Sequence, residues 1–403
     1  MNEIDLTDTT LYVQRALWEQ QPLIETAQRY GATVVAVDTD EDAAGGQLAD
    51  EFVRVDSLRD VSACLDVAAE YDVDAVATDQ CDFSLFTTAY IGARRGHPAP
   101  TLGAVQRTTN KKRMRRAAAG DVAQPEYRIC ATVEEVRSAA RETSLPVVVK
   151  PVDSRGAFGV RRLTDLGDVA DAYLDAIANS DARELIVEEF IEGTPVTVDG
   201  YCLEEHRSLA TASKDTPLGN LDPDRELTYP AQISEQKRDE VKSVTDSLAS
   251  TLNLSFGPTH AEYILTDDGE FYLLEFHNRG GGLQTSASLV PAMTGFDVST
   301  QILCDALGLE SGQRTESFPR TRAGIIRPIQ FDPGTVAEVR NLSVVRDRED
   351  VLVVQLFVEP GDEISEFELA TKSHGAIVTV GDTVEAAESL AATVEQTLSV
   401  RYE

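Results

Sequence analysis

The chain has 403 residues, 42% of them hydrophobic, so it exceeds one ordinary core and has the apolar mass for two or three domains. Acidic side chains number 69 against 36 basic ones, a net charge of −33, and basic residues cluster only in "KKRMRR", residues 111–116. A polyanion needs a basic face, so no nucleic-acid partner is expected; the dispersed acidity, with arginine outnumbering lysine, describes the surface of a salt-loving organism's protein.

No apolar run of about 18 residues is present, and "MNEIDLTDTT" has neither a basic start nor an apolar core, so neither a membrane span nor a signal peptide is expected. Cys64, Cys81, Cys130, Cys202 and Cys304 are far apart and lack metal-ligand spacing. They read as reduced core residues of a cytoplasmic protein.

Residues 1–106 alternate strand and helix patterns: "TLYVQ", a helix through "PLIETAQRYG", "ATVVAVDTD", "RDVSACLDVAAEYD" and "VDAVATD". Short β-branched strands ending in Asp between amphipathic stretches predict a Rossmann-like unit on a parallel sheet. The first loop, "QRALWEQQP", lacks the glycine fingerprint of a dinucleotide site, so NAD is not expected.

From residue 107 to 315 the pattern becomes mixed helix and antiparallel strand. "LPVVVKPVDSRGAFGV" sends an apolar strand into Lys150 and a glycine-containing loop, whose amides can fold over phosphates while the ammonium neutralises them. It is not a Walker A loop, because the Gly-Lys-Ser/Thr ending is absent. "ELIVEEFIEG", 184–193, is a strand running into acids and a chain turn.

"HAEYILTDDGEFYLLEFHNRGGG", 260–282, reads as a hairpin turning at Asp268-Gly269. A two-residue turn there pairs Asp267 with Glu270, Leu265 with Tyr272, Ile264 with Leu273 and Glu262 with Glu275. Facing carboxylates about 5 Å apart repel by roughly 3 kcal/mol at an effective dielectric near 20, so a shared proton or a bound cation is expected. For an all-oxygen pair the natural cation is Mg²⁺. Arg279 beside Gly280, Gly281 and Gly282 predicts an anion held by a fixed cation and closely approaching amides. Residues 316–403, with strands "AGIIRPIQF" and "LVVQLFVEPG" and the helix "TVEAAESLAATVEQTL", predict a small C-terminal α+β domain.

In this order, "TTNKKRMRRAAAG", "KPVDSRGAFGV", "VEEFIEG" and "LLEFHNRGGG" resemble the ATP-grasp superfamily, and within it the L-amino-acid ligases and related carboxylate-amine ligases. The resemblance implies an ATP-grasp fold: a Rossmann-like domain (1–106), an ATP-grasp domain (107–315) with a mobile lid within about 125–187, and an α+β domain (316–403). It implies ATP with Mg²⁺ or Mn²⁺, phosphate lysines at Lys111 and Lys150, and a loop containing Ser154, Gly156 and Gly159 over the triphosphate. Adenine and ribose contacts would fall at Glu188, Glu189, Ile191 and Glu192. Glu262 and Glu275 would bridge the metals, and Arg279 would stabilise the moving phosphoryl group. Many relatives read Glu-x-Asn-Pro-Arg, where this chain has His277 and Asn278. Either the imidazole or Asn278 completes the second metal site, or metal binding is weaker.

The function expected from the resemblance is amide or peptide bond formation through an acyl-phosphate, releasing ADP and phosphate. A small carboxylic acid and an amine would be the partners, and a homodimer is compatible with it. The alternatives are a carboxylase-like enzyme activating bicarbonate and a nucleotide-binding regulatory protein that has lost turnover. Specificity is expected from the first domain's strand ends and from the polar loop at 213–230.

Overall fold

The computed structural model describes residues 4–215, 226–313, 322–364 and 373–403. The first unit is a four-stranded parallel sheet in the order Glu51–Arg54, Thr33–Asp38, Thr10–Gln14, Ala75–Ala77. Leu11, Val13, Val34 and Ala36 are fully buried in it, as expected where helices cover both faces of a sheet. The edge strand "EFVR" has no apolar run, and the sequence patterns did not single it out.

A second sheet, antiparallel, orders Tyr127–Cys130, Leu185–Glu189, Val147–Pro151 and Arg161–Leu163. Two helices back it. One, Val133–Thr143, begins with a capping box in which Thr132 Oγ accepts from Glu135 N–H, and it buries Val136, Ala139 and Ala140 at helical spacing. The other is Val169–Ala178. Every residue of "VVVKP" is buried, so Lys150 enters the interior on a strand and needs a partner there.

The largest sheet has eight strands, in the order Phe271–His277, Gly257–Leu265, Thr194–Cys202, His206–Asp215, Glu226–Tyr229, Ala323–Ile329, Gly375–Gly381 and Val351–Leu356. The sequence reading placed its last three strands in a separate domain. Backbone pairing runs across residue 315, with Leu227 opposite Ile326. Helix Val384–Thr397 packs on this C-terminal end through Ala387, Ala391 and Val394. All five cysteines are buried free thiols. No helix among the described residues is long and apolar enough to cross a membrane. Residues 216–225 of the loop singled out for specificity lie outside the described residues.

Candidate active site

The hairpin pairs Glu262 with Glu275, as the sequence predicts, but the turn differs from the one expected. Gly269 N–H donates to Thr266 O at 2.9 Å, and Gly269 follows at φ +88°, where glycine is favoured. The tighter two-residue turn at Asp268-Gly269 is therefore not formed, and the nearby pairs are shifted by one: Leu265 faces Phe271, Ile264 faces Tyr272 and Tyr263 faces Leu273. A bulge between Glu262 and Tyr263 on this ladder takes up Leu274 and restores the phase that sets Glu262 against Glu275.

The bulge has a fixed partner. Arg115, on helix Lys111–Ala117 and with no solvent exposure, donates from Nη1 to Leu273 O at 2.9 Å and from Nη2 to Leu274 O at 3.0 Å. Its Nε donates to Glu188 Oε1 at 2.9 Å, and Lys150 Nζ lies 2.7 Å from Glu188 Oε2. Burial opposes ionisation of Glu188, and Arg115 and Lys150 outweigh it and hold the carboxyl below its ordinary value. Both oxygens of Glu188 are thus engaged by cations. The residue also borders the cavity.

Glu262 and Glu275 are ringed by cations. Lys214 Nζ is 3.2 Å from Glu262 Oε2, Lys111 Nζ is 3.2 Å from Glu275 Oε1, and His277 Nε2 is 2.9 Å from Glu275 Oε2. Burial works against both charges, but Lys214 and His260 at the first, with Lys111 and His277 at the second, keep both carboxyls below the usual range. The repulsion read from the sequence is therefore offset by side chains already in place.

Asp82 starts helix Asp82–Arg95 of the first unit and takes His277 Nδ1 at 2.9 Å and Arg279 Nε at 3.0 Å. Burial disfavours the imidazolium of His277, yet Asp82 and Glu275 raise its pKa above the ordinary value. The ring thus bridges a carboxylate at each nitrogen, Asp82 at Nδ1 and Glu275 at Nε2. Asn278 donates from its amide to Phe256 O at 2.8 Å and Pro258 O at 3.3 Å, and it does not border the cavity.

The glycines also depart from expectation. Gly280 N–H donates to Asp79 Oδ1 at 3.2 Å, and a Cβ there would meet Ser286 Oγ at 2.0 Å. At Gly281 it would meet Asp199 Oδ1 at 2.9 Å. These two glycines permit close packing against Asp79 and Asp199, and only Gly282 borders the cavity. Arg279 does face it, steadied by Asp82 and by a bond from Nη1 to Gly280 O at 2.8 Å.

That cavity, about 470 Å³, lies between the second sheet and the hairpin and is bordered by Lys111, Lys150, Ser154, Gly156, Glu189, Ile191, Glu262, Glu275 and Arg279. Its apolar part includes Val148, Ile191, Leu227, Leu274 and Ile326. Lys111 also donates to Ser154 O at 2.8 Å, which ties the loop to the lysine. Gly156 and Gly159 adopt φ +58° and +72°, but Gly159 packs on helix Val169–Ala178 and Glu192 is exposed; neither borders the cavity. Sequence reasoning missed Asp79, Asp82 and Arg115. The only local signals were "ATDQCD", with two acids just past a strand, and an arginine one helical turn after Lys111.

Among the described residues, no three His, Cys, Asp or Glu side chains are grouped to bind a metal by themselves. Two carboxylates on adjacent strands beside a phosphate-sized cationic pocket do fit Mg²⁺ or Mn²⁺, whose other positions go to water and substrate oxygens.

Strand pair, bulge and second sheet together define the fold of the nucleotide site, and residues 143–287 match the ATP-grasp domain. Residues 327–403 match the L-amino acid ligase C-terminal domain 2, so the chain joins these two modules. The structure of L-amino acid ligase from Bacillus licheniformis superposes with a TM-score of 0.84 at 22% identity, over 98% of this chain and 99% of that one. The biotin carboxylase domain of Hydrogenobacter thermophilus 2-oxoglutarate carboxylase, in a complex with MgADP and bicarbonate, gives a TM-score of 0.80 at 16% identity, over 98% and 90%. At these identities the likeness is one of fold. In sequence, a formate-dependent phosphoribosylglycinamide formyltransferase from Sulfurovum sp. is 28% identical over 264 residues, 63% of this chain and 65% of its own length. The alignments with these curated relatives cover between 43% and 65% of those proteins' lengths.

Proposed function

We propose that the protein is an ATP-dependent carboxylate-amine ligase, forming an amide through an acyl-phosphate and releasing ADP and phosphate. One observation carries this reading: Glu262 and Glu275 face each other at the edge of a cavity that also holds Lys111, Lys150 and Arg279. The ligase domain matched at the C-terminus supports it, as does the name of the Bacillus licheniformis structure. The finer attributions are part of the proposal: three units divided near residues 106 and 315, a small carboxylic acid and amine as substrates, and a cytoplasmic, salt-adapted setting.

In this mechanism Lys111 and Lys150 neutralise the nucleotide phosphates, and the loop with Ser154 and Gly156 covers them. The base lies in the apolar slot near Ile191, with Glu189 at its rim. A bound Mg²⁺ or Mn²⁺, held by Glu262 and Glu275, supplies further charge neutralisation at the phosphates. Arg279, fixed by Asp82, points its guanidinium at the charge that develops as the phosphoryl group passes to the acid. Closing the lid excludes water, so the activated acid meets the amine before it hydrolyses. The test is to offer the purified chain ATP, Mg²⁺ and paired carboxylic acids and amines. ADP release that needs both partners supports a ligase; release with bicarbonate alone, or none with any pair at millimolar concentrations, rejects it.

A further inference from the structure

We propose that Arg115 is a positioning residue that couples the metal-binding carboxylates to the phosphate lysine; this rests on the ligase reading above. Its three donors reach two different sheets. Nε holds Glu188 on the strand Leu185–Glu189, and the two terminal nitrogens hold the carbonyls of Leu273 and Leu274 on the strand Phe271–His277.

The two carbonyls mark the place where the ladder changes register. Tyr263 still faces Leu273 in the shifted phase, and Glu262 faces Glu275 in the restored one. Were the shifted phase to continue past Leu273, Glu262 would meet Leu274, and Glu275 would stand opposite Ala261. A slip of one residue turns a side chain to the other face of a sheet, so Glu275 would leave the cavity. Arg115 binds the bulged backbone and so stabilises the phase that keeps the carboxylates together.

The other end of the guanidinium sets the lysine. Glu188 is shared between Arg115 and Lys150, so the position of the Lys150 ammonium follows that of a carboxylate anchored to the hairpin. An arginine buried only to neutralise Glu188 would not need the two carbonyls. A planar fork with separate nitrogens spans acceptors on two sheets in fixed directions, which the compact ammonium of a lysine does not.

The test uses Arg115→Lys in the full-length chain, which retains the charge opposite Glu188 but gives up the fork. Mn²⁺ binding in the presence of ADP is measured by electron paramagnetic resonance, and ADP binding is measured separately in chelator. The expected result is a loss of about tenfold or more in Mn²⁺ affinity, the usual scale for removing a group that orients a metal ligand, with partial recovery of turnover at raised Mg²⁺. ADP binding in chelator should change far less. If Arg115→Lys does not fold, Arg115→Gln leaves Glu188 paired with Lys150, and the same loss is expected. Wild-type Mn²⁺ affinity in the folded variant, or a defect that extra metal does not relieve, overturns the proposal while leaving the ligase reading intact. A wild-type protein whose Mn²⁺ binding is absent or indifferent to Glu275→Gln overturns the metal centre itself, and the coupling with it.

Discussion

Glu275 takes Lys111 and His277 at once, whereas Glu262 has Lys214 and sits farther, at 3.5 Å, from His260. Glu275→Gln should therefore abolish amide formation, and Glu262→Gln should cost somewhat less, both assayed at low millimolar Mg²⁺. Near-normal activity of Glu275→Gln would remove the metal assignment. Arg279→Ala should lower turnover by roughly a hundredfold or more, the scale for losing one stabiliser of transition-state charge. Glu188 allows a pH test. Its folded pKa is depressed, so the stability it lends is complete above the unfolded value of about 4.3 and is lost as pH falls through the folded value. Glu188→Gln should lower stability near neutral pH and flatten the acid limb of the unfolding curve. Glu262, Glu275, Arg279, Lys111 and Lys150 were legible in the sequence from the hairpin pattern, a strand running into a lysine and the family resemblance, and all five border one cavity. Asp82 and Arg115 were not: their partners lie 197 and 158 residues away, and no local pattern links them.

In the hairpin the expected facing pair forms around a turn other than the expected one. Asp-Gly is a strong two-residue turn signal, but Thr266 also binds the backbone at Glu270, its Oγ accepting from Glu270 N–H at 3.2 Å, and the loop lengthens. The extra residue is recovered at Leu274, a bulge that alternation of apolar residues cannot reveal. The loop after Lys150 has its own contacts. The Arg155 guanidinium lies 4.2 Å from the ring centre of Phe83, Arg59 lies 3.9 Å from the same ring, and Arg59 pairs with Asp181. Cation–aromatic contact thus ties the loop to the first unit. ATP with Mg²⁺ should slow tryptic cutting at Arg155, and Phe83→Ala should speed it without nucleotide. Equal cutting rates in all cases would mean that the segment is no lid.

At the scale of the whole molecule, three of the four strands of the parallel first sheet were readable because they are short, buried and separated by helices. The join between the second and third expected units was not, because pairing of Glu226–Tyr229 with Ala323–Ile329 depends on strands far apart in sequence. A net charge of −33 acts over the same scale. Counter-ions screen it within about 10 Å at 0.1 M salt, so the melting temperature should rise from low to molar KCl, and a flat or falling curve would contradict a salt-adapted surface. The central claim is that a phosphoryl group moves to the acid. It is tested most directly by ¹⁸O in the carboxylate of the acid substrate. The account predicts one labelled oxygen in inorganic phosphate for each amide formed, with ADP as the nucleotide product. Label appearing in AMP, or phosphate released without label, would contradict it.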